Sequence, residues 1–190
     1  MARITMGGEF GQLVQADCLA IEKGLASRKG IHSRVHEARK AIRRVRALLS
    51  LVEHRLDVES ADLALQRIGD GLSTLRDACA AAGVSSQVGK LDEKKRWVPV
   101  TAALRARADS VAARVLKSDP RFAKRRRIVQ QVMGQLQKLP WDDLKTEHVR
   151  NGLQRQHKRT TEAGRRAKKD PTAENLHRWR RRARRLRMQV

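Results

Sequence analysis

Aromatic side chains make up only 3% of this 190-residue chain, with three Trp, two Phe and no Tyr. Modules that read single-stranded nucleic acid stack bases on such rings. Phe10, Trp97, Phe122, Trp141 and Trp179 are too scattered to form that platform. Cysteine is equally scarce. Cys18 and Cys79 stand far apart with no Cys-x-x-Cys spacing, which excludes a disulfide framework and predicts reduced, partly buried thiols in a cytoplasmic protein. No run of about 18 apolar residues is present, so no membrane span is expected. No alternating apolar run suggests a strand either, leaving an all-α chain. Metal-assisted or general-base phosphoryl chemistry needs carboxylates at the site, and the basic histidine-headed helix faces at His36 and His177 carry none, Glu37 lying about 100° round from His36. An enzyme is therefore not expected, and neither is a cofactor or a bound metal.

What is present is positive charge. The formal net charge is +23 and the isoelectric point near 11.5, which suits a long polyanion as partner. The excess is strongest towards the C-terminus. With 40% hydrophobic residues the chain can still bury a core.

The basic residues are organised in a repeat. His36-Glu-Ala-Arg39-Lys40-Ala-Ile42-Arg43-Arg44-Val45-Arg46 returns 141 residues later as His177-Arg-Trp-Arg180-Arg181-Arg-Ala183-Arg184-Arg185-Leu186-Arg187. Arginine tracts match one another easily, but here an apolar series keeps the same register. Val35, Ala38, Ile42, Val45 and Leu49 are answered by Leu176, Trp179, Ala183, Leu186 and Val190. The 3, 4, 3, 4 spacing is that of a helix laying one stripe on a core, so both segments are predicted helices and Trp179 a core residue. His36, Arg39, Lys40 and Arg43 fall within about 100° of one another, roughly opposite that stripe, and His177, Arg180, Arg181 and Arg184 do the same. Like charges on one helix face repel by a few tenths of a kcal/mol per pair, so helix stability does not ask for the arrangement. An anion would explain it.

The twice-repeated pattern resembles the CHAD family, the conserved histidine α-helical domain. Leu72-Ser-Thr-Leu75-Arg76-Asp77 is similar to the family's Arg-Asp segment after the first motif. Gly152-Leu153-Gln-Arg155-Gln-His157-Lys158-Arg159 is similar to its Gly-Leu and basic run before the second. The resemblance implies a pseudo-two-fold pair of helical bundles of long antiparallel helices around a basic channel. That channel would bind inorganic polyphosphate without catalysis, at polyphosphate or polyester granules. Carried onto this sequence, the binding residues are His36, Arg39, Lys40, Arg43, Arg44 and Arg46 in the first motif. Arg155, Lys158 and Arg159 precede the second, which supplies His177, Arg180, Arg181, Arg184 and Arg187. Arginines are expected to fork onto phosphate oxygens, Lys40 to act as a point charge, and the histidines to donate hydrogen bonds. Relatives are often fused to a triphosphatase with alternating glutamates, but no Glu-x-Glu-x-Lys pattern occurs here. The same charge also allows a nonspecific RNA- or DNA-binding helical protein, with nucleic acid as a weaker polyanion, or a granule scaffold whose basic face binds acidic proteins.

Punctuation divides the chain as a bundle requires. Residues 1–10 carry no helix period and are expected to lie outside the fold. An N-terminal helical half covers 11–83, a linker 84–97, and a C-terminal half 98–190. Helices are expected from about Gln12 to Leu25, from Gly30 to about Leu56, and from Ala61 to Ala82, ended by Gly83. Further helices should run from Val98 to Lys117, from the Ser118-Asp119-Pro120 stop to about Leu139, and from Asp142 to Lys169. Asp170-Pro171 then caps the second motif helix. Because that helix reaches Val190 with nothing following, the C-terminal half looks incomplete. Its stripe should leave the helix mobile or drive self-association.

Three sharper motifs fail on inspection. Gly83-Val-Ser-Ser-Gln-Val-Gly89-Lys90-Leu91 has one residue too many for a phosphate loop, and Leu91 stands where a hydroxyl must hold magnesium. His32 and His36 share a helical face, but surrounding cations oppose a metal and no third ligand is near. Lys124-Arg-Arg-Arg127 reads as a solvated charge run, with an extension of the polyanion track as the alternative.

Overall fold

The computed structural model describes residues 5–92 and 95–190, and every regular element among them is helical. In order these are α1 (Met6–Ala26), α2 (Ile31–Val52), α3 (Glu59–Gly71), α4 (Ser73–Lys90), α5 (Trp97–Ser118), α6 (Ala123–Gln137), α7 (Thr146–Lys169) and α8 (Ala173–Arg187). Short 3-10 turns at Pro120–Phe122 and Trp141–Asp143 precede α6 and α7.

Helix α2 organises the rest. Its predicted stripe, Val35, Ala38, Ile42, Val45 and Leu49, is buried, and α1 offers Val14, Cys18, Ile21 and Leu25 in the matching 4, 3, 4 spacing. Each such aliphatic side chain contributes about 1.5–3 kcal/mol by leaving water. α3, α4 and α7 pack on other sides of α2, while α6 packs on α1 and α3. α7 reaches α2 through Gly152, where a Cβ would stand 2.0 Å from the Leu51 carbonyl oxygen, so only glycine permits the crossing. Just beyond, Gln156 Nε2 donates to the Ser50 carbonyl at 3.2 Å. One apolar core runs from α1 to Leu144 and draws on residues from both sides of the expected linker.

Several expected boundaries are corrected. Residues 5–10 belong to the fold: Thr5 caps α1 by accepting the Gly8 N–H, and Phe10 packs on Trp141 at 5.9 Å between ring centroids. A Cβ on Gly7 would stand 1.8 Å from the Trp141 carbonyl oxygen, and one on Gly11 2.7 Å from its indole. These glycines are contact points, not turn formers. The expected helix from Ala61 to Ala82 breaks at Leu72 and then runs through Gly83 to Lys90, so most of the 84–97 linker is helix. Its inner face is made of small residues, Ala82 and Ser85, against Thr101, Ala108 and Ala112 of α5. Such a contact leaves no strong apolar period to read. α7 starts at Thr146, after a 3-10 turn, and α8 is capped by Thr172 accepting the Asn175 N–H rather than by Asp170. What was expected of residues 1–4 and of 93–94 lies outside the described residues.

The stop before α6 is strained. Arg121 (φ 52°, ψ 21°) and Phe122 (φ 58°, ψ 31°) are consecutive left-handed residues, each costing about 1–3 kcal/mol. Phe122 is fully buried, with the guanidinium carbons of Arg34 and Arg125 over its ring at 4.8 and 5.8 Å. Asp119 anchors the turn, accepting the Lys124 N–H at 2.8 Å and an Arg125 N–H at 2.6 Å.

Helix α8 departs most from expectation. It holds no buried residue, and Trp179, predicted to be core, is 44% exposed, as is Leu176. The Trp179 indole lies over Gly164 of α7, where a Cβ would come within 3.0 Å of its Nε1. One edge of the stripe is therefore covered and the other is open.

Candidate functional site

The two histidine-headed segments face each other across a cleft of about 490 Å³. α2 lines it with His36, Arg39, Ile42, Arg43 and Arg46. α8 supplies His177, Arg180, Arg181, Arg184, Arg185 and Met188. Gln66, Gly69 and Asp70 from the end of α3, with Arg76 from the start of α4, close one side. Arg184 faces Arg43, and Gln189 Nε2 donates to the Ala47 carbonyl at 2.7 Å and to Ser50 Oγ at 2.9 Å. The two helices thus run in the same direction along the cleft, with the exposed histidines towards their starts.

The arginines differ in how far their hydrogen bonds are already spoken for. Arg46 is forked onto Asp62 at 2.8 and 2.9 Å and also reaches Gln66 Oε1 at 2.9 Å, so its charge is largely matched. Arg39 donates through one terminal nitrogen to the Gly69 carbonyl, which aims the rest of the group into the cleft. Its Nε and that of Arg43 are buried with no partner among the described residues. Burial, then the guanidiniums of Arg184, Arg39 and Arg76, pushes Arg43 below the ordinary arginine range. Burial and Arg76 push Arg39 the same way, against a smaller pull from Asp77 and Asp70. Arg185 is lowered by burial and then by Arg46. All stay charged at neutral pH, so the cleft holds facing cations whose mutual repulsion an anion would relieve.

The predicted residues divide on position. His36, Arg39, Arg43, Arg46, His177, Arg180, Arg181 and Arg184 line the cleft. Lys40 and Arg187 are exposed outside it. Arg44 turns to α1 and pairs with Asp17 at 2.6 Å. Arg155 contacts the His54 ring, Arg159 pairs with Glu53 at 3.2 Å, and Lys158 is exposed beside them. That cluster sits where α7 passes the C-terminal end of α2, away from the cleft.

Sequence reasoning left Arg76, Arg185, Gln66 and Asp70 out of the site. Arg76 stands in the Arg-Asp segment that had drawn notice after the first motif, so a signal for it existed. Arg185 occupies the register of Arg44, yet it lines the cleft while Arg44 does not. The two motif helices present different faces: Arg181 and Arg185 point inwards where their counterparts Lys40 and Arg44 point to solvent and to α1. Nothing in the repeat itself encodes that roll.

The profile of the CHAD domain family matches residues 16–190. No curated protein and no solved structure matches the chain.

Proposed function

Because the chain belongs to the CHAD family, we propose that its cleft binds inorganic polyphosphate and carries out no chemistry on it. The CHAD domain is associated with polyphosphate binding in general. The observation that carries the reading for this chain is the pair of buried guanidinium Nε groups on Arg39 and Arg43, without partners among the described residues, facing Arg180, Arg181 and Arg184. Leaving a buried donor unmet costs about 1–3 kcal/mol, more when it is charged. A ligand rich in oxygen acceptors offsets that cost. Polyphosphate presents acceptors and negative charge at every unit and has no bases to stack or edges to read. The cleft matches it in offering arginine forks and no Phe, Tyr or Trp among its lining residues.

Catalysis finds little support in the lining, whose one carboxylate, Asp70, lies among arginines. Granule attachment is part of the same reading, since the ligand accumulates in such bodies. No helix among the described residues is long and apolar enough to cross a membrane.

Salt titration cannot separate polyphosphate from nucleic acid, because both release counterions. Competition can. At fixed salt, long-chain polyphosphate is expected to displace labelled RNA at far lower phosphate concentration than RNA needs to displace polyphosphate. Equal potency per phosphate would reduce the cleft to a diffuse basic surface.

A further inference from the structure

Away from the cleft, the turn joining α1 to α2 and the strained turn before α6 enclose a second cationic pocket of about 480 Å³. Ser27, Arg28, Arg34, Arg121 and Arg126 form its walls. Two of these arginines are fixed in place. Arg126 is forked onto Glu22, with its Nε at 2.8 Å from the carboxylate. Arg34 donates through Nε and one terminal nitrogen to the Leu25 carbonyl, and its guanidinium carbon sits over the Phe122 ring, 4.8 Å from the centroid. The other two, Arg28 and Arg121, are exposed and have no hydrogen bond or ion pair among the described residues. Ser27 Oγ accepts the Lys29 N–H at 3.1 Å, which leaves its hydroxyl proton free to donate.

Two features of this pocket work against an empty protein. Four guanidiniums share it while Glu22 pairs with one of them, so the remainder repel. Arg121 is brought to the wall by left-handed backbone that a residue with a Cβ adopts at a penalty. Fold stability alone would select glycine or asparagine at that position, and a neutral side chain beside Arg34. We propose that this pocket is a second anion site, taking a single phosphate-class oxyanion that is either free inorganic phosphate or the terminal group of a phosphate chain. Arg34 is the rigid floor, held by Leu25 and Phe122, and presents its remaining N–H groups in a fixed plane. Arg28 and Arg121 close over the ligand from the two turns, and Ser27 adds a neutral donor. The site is independent of what the cleft binds.

The test uses the full chain carrying Arg180→Glu and Arg181→Glu, which disables the cleft through two exposed side chains. Titration calorimetry at constant ionic strength then measures binding of orthophosphate and, separately, of tripolyphosphate. At least one of these probes is expected to bind at a single site. Adding Arg28→Ala and Arg121→Gly to the same background is expected to weaken it by about tenfold or more. Arg121→Gly relieves the left-handed backbone, so the variant should melt no lower than its parent, and a loss of binding cannot be blamed on misfolding. Binding of orthophosphate assigns free phosphate as a ligand, and binding of tripolyphosphate alone assigns the chain end. Absence of binding for both probes, or heats unchanged by the Arg28→Ala and Arg121→Gly pair, overturns the proposal.

Discussion

Replacing Arg43 with methionine keeps most of the side chain's volume and stem while removing its charge. The Arg43 Nε is buried without a partner among the described residues, and Arg184, Arg39 and Arg76 oppose its charge. Relief of that unmet donor is expected to stabilise the ligand-free protein by about 1–2 kcal/mol, allowing for some repacking. For a chain of this size that is a rise in melting temperature of roughly 2–8 °C. The same change removes a charge-assisted contact to the ligand worth about 1.5–3 kcal/mol, so affinity for long-chain polyphosphate should fall by roughly 10- to 150-fold. It should also flatten the dependence of affinity on salt, by about 0.7 in the logarithmic slope if one phosphate contact is lost. Urea denaturation and fluorescence anisotropy on the same preparation measure the two effects. Opposite signs for stability and affinity are the expected outcome. A variant that is less stable without ligand, yet binds within twofold of the parent, would show that Arg43 is an ordinary structural arginine and that the cleft is not built around an anion.

Four further outcomes follow from the same geometry. Charge reversal at Arg39 and Arg43 should weaken polyphosphate binding far more than reversal at Arg67, which does not line the cleft, and equal losses would mean diffuse attraction. With His36 and His177 both changed to Gln, the pH dependence of binding should flatten. Burial and the neighbouring Asp17 push the Cys18 thiol up to about 12, so a thiol reagent should modify the half-buried Cys79 first and reach Cys18 only on unfolding, as peptide mapping can show. Amide exchange should be faster across α8 than across α2, and light scattering should detect association through the open Leu176 and Trp179 edge; slow exchange in a strict monomer would contradict both.

The residues that could be read from sequence are those whose pattern reports a single cause. The stripe from Val35 to Leu49 is apolar because it is buried, and periodicity finds it. The matching stripe from Leu176 to Val190 has the same pattern but lacks a full partner, and periodicity cannot tell which neighbours exist. Gly7 and Gly11 carry no period, because their role is to let Trp141 approach, a contact made from far along the chain. The end of α4 is hidden for a related reason, since Ala82 and Ser85 pack by smallness. Within the site, the histidine register and the cation rows lead to the cleft, whereas the fate of Arg44 is decided by Asp17 on a different helix. Arg76 enters because α3 and α4 bend at Leu72, a break that Gly69 and Gly71 mark but that a single helix from Ala61 to Ala82 passes over.

Helix α8 has no fully buried residue and packs mainly on α7; the hydrogen bonds that tie this end of the chain to α2 are those of Gln189, just past the last turn of α8. On the proposed reading, an anion touching both rows of arginines adds a clasp on the α2 side along the rest of its length. Longer chains would fasten more turns than short ones. The protein would thereby translate degree of polymerisation into stiffness, so that resistance to proteolysis in α8 becomes a ruler for the length of the molecule it holds.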